Sequence, residues 1–130
     1  MKIEVSLGEV VDKITILEIK MERISDPLKL EHIRLEYGLL RKSLEESGIP
    51  VDSEDFRRLK DVNSRLWEIE DRLRKKERDG EFDGEFIELA RSVYAENDKR
   101  FEIKSRISST GGSDIVEEKE YVDYGKEEPG

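Results

Sequence analysis

Three carboxylate pairs carry the clearest potential for chemistry: Glu9 with Asp12, Glu68 with Asp71, and Glu85 with Glu88. Residues three apart share one face of a helix, and clustered carboxylate oxygens suit a hard cation such as Mg²⁺. Glu9, Asp12, Glu85 and Glu88 would then serve an all-α enzyme acting on a phosphorylated or nucleotide-like substrate. The competing reading is a solvated face, because 33 acids in 130 residues produce such pairs by composition alone. In the heptad frame set out below, Glu9 and Glu68 fall at c, and Asp12 and Asp71 at f, outside the apolar seam. The sequence therefore favours a protein with neither catalytic residues nor a cofactor, and Mg²⁺ chemistry is the alternative.

The two asparagines, Asn63 and Asn97, lie on or beside apolar stripes, where a buried amide needs partners. Each can specify helix register. The other reading is a polar pocket, with Glu18, Asn63, Glu70, Tyr94 and Asn97 as ligand-binding residues. The run Arg72, Arg74, Lys75, Lys76, Arg78 is interrupted by acids and spreads around its helix, which suits the C-terminal end of a helix dipole better than a nucleic-acid stripe. There is one histidine, His32, and no cysteine, which excludes thiol chemistry and disulfides. No glycine-rich phosphate loop or nucleophile elbow occurs.

Four amphipathic segments must position these groups. Leu7, Val10, Ile14, Leu17, Met21 and Ile24 recur at spacings of three and four, behind the capping box Ser6-Leu7-Gly8-Glu9. Asp26-Pro27 opens a second segment carrying Leu30, Ile33, Tyr37, Leu40 and Leu44, which Gly48 closes. Asp52 or Ser53 caps a third with Leu59, Val62, Leu66, Ile69 and Leu73. Asp83 caps a fourth containing Phe86, Val93, Phe101, Ile103 and Ile107. Helices over about 7–25, 27–47, 53–79 and 83–109 follow, joined by short connections. The expected fold is all-α: an antiparallel up-down-up-down four-helix bundle over residues 1–112, with a short extended N-terminal segment.

Two segments hold more apolar residues than one seam uses. With Leu7 at a, Ile16 and Ile19 fall at c and f. On the second segment Leu28, Leu35 and Leu39 form a further stripe, with His32 between them. Such a surplus marks an interface, so Ile16, Ile19, Leu28, His32, Leu35 and Leu39 are expected to mediate homo-oligomerisation, a dimer in the simplest case. Cover by the chain's own tail or by the fourth helix is the plainer alternative.

The net charge of −9 argues against nucleic acid. No apolar run is long enough for a membrane span, and no signal peptide opens the chain, so a cytoplasmic location is expected. Leu, Ile, Val and Phe supply 36 of the 130 residues, enough for a folded core. Glutamine is absent and charged residues reach 44%, a thermophile-like balance. The segment 113–130 has seven acids against two lysines, a net of −5. Its interleaved Ile115, Val116, Tyr121, Val122 and Tyr124 suggest an acidic tail that folds back and packs as far as about residue 124.

Three stretches, GEVVDKITILEIK at 8–20, LARSVYAEND at 89–98 and VEEKEY at 116–121, together resemble a family of small bacterial proteins of unknown function. The likeness spans nearly the whole chain and implies that the tail belongs to the module; it implies no activity. A weaker similarity is to the all-α chorismate mutases, but the chain has no glutamine to supply a polar group that family uses. The sequence leads to a non-catalytic helical-bundle module that self-associates and binds a partner protein or small ligand. A chorismate-mutase-like isomerase is a further alternative.

Overall fold

A computed structural model of the chain describes residues 3–112. Among these residues there are four helices and no strand: α1 (Leu7–Arg23), α2 (Pro27–Ser47), α3 (Ser53–Asp79) and α4 (Gly84–Thr110). Each helix starts where a short polar side chain takes up backbone N–H groups the helix cannot satisfy itself. The Ser6 hydroxyl accepts from Glu9 N, Asp26 from Leu28 N and Lys29 N, Asp52 from Glu54 N and Asp55 N, and Asp83 from Phe86 N. Helices α2 and α3 stop at Gly48 and Gly80, whose φ of 67° and 68° is left-handed.

Helix α1 is the central element and contacts each of the other three. Contacts between α1 and α4 run in opposite order along the two helices: Gly8 meets Ser108, Glu9 meets Lys104 and Asp12 meets Arg100. The α3–α4 ion pairs do the same, from Asp55–Arg106 through Arg65–Glu96 to Lys76–Asp83. Leu7 and Val11 of α1, Leu59, Val62 and Leu66 of α3, and Ile103 and Ile107 of α4 form the core. Among the described residues, helix α2 lies against α1 alone, its backbone remote from α3 and α4, and no residue of it is fully buried. Only Leu44 reaches the edge of the core.

This placement corrects two sequence expectations. Ile19, expected on an outer face, is 1% exposed, and Asp12, expected to point away from the seam, is 3% exposed. A heptad frame gives a helix one buried stripe; a helix with three neighbours has little outward face left. Ile16 is half-buried for the same reason. The expected fold-back of Ile115, Val116, Tyr121, Val122 and Tyr124 lies outside the described residues.

Candidate functional site

The polar groups collect along α1. Gly8 begins the series: a Cβ there would collide with the Lys104 carbonyl, so glycine lets α1 and α4 approach backbone to backbone. Its N–H, one of the orphan donors of the first turn, donates to Ser108 Oγ at 2.9 Å. One residue on, Lys104 Nζ donates to Glu9 Oε1 at 2.6 Å.

One turn further lies the buried centre of the network. Arg100 Nε donates to Asp12 Oδ1 at 2.9 Å, and its terminal nitrogen to Oδ2 at 2.5 Å. Asn63 Nδ2, from α3, donates to both Asp12 Oδ1 and Thr15 Oγ1 at 2.9 Å. Thr15 Oγ1 donates in turn to the Asp12 carbonyl. One carboxylate thus ties three helices together with charge-assisted bonds. Among the described residues, every buried side-chain nitrogen and oxygen has a partner. The arrangement holds the helices in register, the role a seam asparagine plays when its amide is satisfied.

A second network joins α1, α2 and α3. Tyr37 Oη donates to Glu18 Oε2 at 3.0 Å, and Lys60 Nζ donates to Glu18 Oε1 at 3.1 Å and Glu22 Oε1 at 2.7 Å. Burial first, and then the bond to the Glu18 carboxylate, raises the pKa of the Tyr37 phenol above its ordinary value. The carboxylates of Glu22 and then Glu18 hold Lys60 above its ordinary value, against a desolvation that acts the other way.

The candidate pocket residues separate in this arrangement. Asn63 bonds Asp12 and Thr15, whereas Glu18 bonds Tyr37 and Lys60. Glu70 is exposed on α3, beside Trp67, Asp71 and Arg74. Tyr94 is 58% exposed, and Asn97 is half-buried on α4. Glu9 and Asp12 lie beside Lys104 and Arg100, while Glu85 pairs with Arg72 and Lys76 and Glu88 is exposed near the other end of α4. At least about 18 Å of helix axis divides the two pairs. The four carboxylates do not converge, and no group of three metal-ligating side chains occurs among the described residues.

Sequence reasoning missed Arg100, Lys104, Ser108, Tyr37 and Lys60. A signal for two of them was present: Arg100 and Lys104 stand four apart among Phe101, Ile103 and Ile107, where an unpaired cation would be costly.

Two surfaces remain. An open groove of about 430 Å³ between α3 and α4 is lined by Arg58, Arg65, Lys99 and Arg106 as well as Asp61 and Glu102. Its cations are largely answered by the buried Glu96 and Asp55: Arg65 and Lys99 bond Glu96, and Arg106 pairs with Asp55. The outer face of α2 is different. Leu28, Leu35 and Leu39 are 63%, 66% and 60% exposed, with His32 exposed among them.

No helix of the described residues is long and apolar enough to cross a membrane. No curated protein and no solved structure matches the chain. One family model does, over residues 1–126. With a match across nearly its whole length, the chain belongs to the DUF6165 family, a family of unknown function.

Proposed function

We propose that the chain is a non-catalytic helical module that self-associates through the outer face of α2. The observation that carries this reading is the leucine stripe at Leu28, Leu35 and Leu39, more than half exposed on a helix that, among the described residues, packs on α1 alone. Isolated exposed leucines are ordinary, but three aligned on one helix face form a patch, and patches mark interfaces. The α1-facing residues Leu30, Ile33, Tyr37, Leu40 and Leu44 are already half-buried, so the stripe is additional to what α2 needs for its own packing. Ile19 leaves the interface set because it is buried, and half-buried Ile16 lies on α1 rather than on the α2 face, so Leu28, His32, Leu35 and Leu39 remain.

The contacts along α1–α4 and α3–α4, each in opposite order, support an up-down-up-down arrangement, with α2 outermost. Light scattering on the purified chain tests the reading. Twice the mass of one chain is expected for the wild type, and a single-chain mass for Leu35→Glu combined with Leu39→Glu. A wild-type monomer at tens of micromolar, a concentration at which a specific interface of ordinary size is formed, overturns it.

A further inference from the structure

Resting on that self-association reading, we infer that the occupant of the α2 face is α2 of a second copy of this chain, laid antiparallel. Leu28, His32, Leu35 and Leu39 are spaced 4-3-4, the repeat of a two-helix seam. Their positions lie opposite the α1-facing residues Leu30, Ile33, Tyr37 and Leu40 on the same helix, so a second copy reaches them without disturbing α1.

Charge and shape choose the orientation. A parallel pairing stacks Lys42 on the partner's Lys42 and sets Glu31 against the partner's Glu36. Like charges so placed are repulsive. An antiparallel pairing centred between Ile33 and Arg34 sets Leu28 against the partner's Leu39 and His32 against the partner's Leu35. By two-fold symmetry each contact is made twice. Lys29 then flanks the partner's Glu36, and Lys42 and Glu46 fall outside the seam. Glu36 meets Lys13 of α1 through Oε1 at 2.8 Å and is 45% exposed, which leaves Oε2 available to Lys29 of the second copy.

Gly38 is a second, independent sign. It sits inside α2 at the flank of the stripe, where a Cβ would meet nothing within 4 Å. Glycine is the poorest helix former after proline, and no described residue of its own chain uses the space. A second helix on the stripe does, because a missing side chain at the flank allows closer approach.

The chain contains no cysteine, so introduced thiols report on geometry without background. Leu28→Cys and Leu39→Cys are made as separate full-length variants and oxidised alone and as a mixture. The antiparallel seam predicts disulfide-linked dimers in the mixture, joining position 28 of one copy to position 39 of the other, and little in either variant alone. Cross-linking of each variant with itself overturns the antiparallel pairing in favour of a parallel one. If neither the mixture nor the single variants cross-link while light scattering still gives a dimer, the α2–α2 pairing fails and self-association itself survives. A monomeric mass for the wild type sinks both. As a second measure, Lys29→Glu is expected to weaken the dimer at least several-fold in sedimentation, and an unchanged dissociation constant removes the charge argument for orientation.

Discussion

Asp12 and Arg100 form a forked ion pair from α1 to α4, with Nε to Oδ1 at 2.9 Å and a terminal nitrogen to Oδ2 at 2.5 Å. The Asp12 side chain is 4% exposed and that of Arg100 31%, so the acid is the buried member. Such a pair contributes little to stability against an apolar replacement of both partners, but is costly to break from one side. Replacing Arg100→Met strands the buried carboxylate and is expected to lower the unfolding free energy by about 3 kcal/mol in urea titrations followed by circular dichroism. Asp12→Leu together with Arg100→Met should recover part of that loss, leaving the Asn63 amide short of one acceptor. A loss below about 0.5 kcal/mol for Arg100→Met would mean the carboxylate is satisfied without it.

Two glycines on helices, Gly8 and Gly38, should respond oppositely to the same change. Gly8→Ala drives a methyl group into the Lys104 carbonyl and the Ser108 hydroxyl. It is expected to destabilise by about 2 kcal/mol, the scale of a forced overpacking. Gly38→Ala meets open space among the described residues. In the background of Leu35→Glu and Leu39→Glu it should stabilise the chain by about 0.5 to 1 kcal/mol through helix propensity alone. Thermal unfolding of both variants reads the contrast directly.

The Tyr37 hydroxyl ties α2 to α1 through Glu18, alongside the Lys13–Glu36 ion pair. Tyr37→Phe keeps the ring and removes the donor, and Glu18 retains Lys60. A loss of about 1 kcal/mol is expected, felt first in α2 because that helix has only one neighbour among the described residues. Amide hydrogen exchange should show protection falling across α2 while α3 and α4 stay unchanged. Since the phenol pKa is raised in the folded chain, its contribution is complete below the ordinary value of 10.0 and fades as pH rises through the higher folded value.

Acid should weaken the α3–α4 turn. Asp83 caps α4, and its carboxyl is held below the ordinary carboxylate value by the Phe86 N–H and then by Lys76. A lowered folded pKa stabilises the fold fully above the unfolded value of 3.8, and the effect disappears as pH falls through the lower folded value. Asp83→Asn keeps a capping oxygen without the charge. Its melting temperature should therefore fall less steeply than the wild type's over that acid range, and parallel curves would contradict the assignment.

Local signals carried much of this protein's form. The Ser6, Asp26, Asp52 and Asp83 caps and the Gly48 and Gly80 stops are short-range hydrogen-bonding and backbone effects, readable from neighbours in sequence. The outward stripe of Leu28, Leu35 and Leu39 was equally legible, because a 3.6-residue repeat states which side chains share a face. What periodicity cannot state is how many faces a helix has covered. Ile19 and Asp12 sit off the seam of α1 by repeat, yet both are buried, because α3 and α4 flank α1 while α2 lies against it alone. The partners of Asp12 are Asn63, 51 residues away, and Arg100, 88 away. Those distances are closed by chain folding, so only the tertiary structure decides that the amide, the guanidinium and the carboxylate meet.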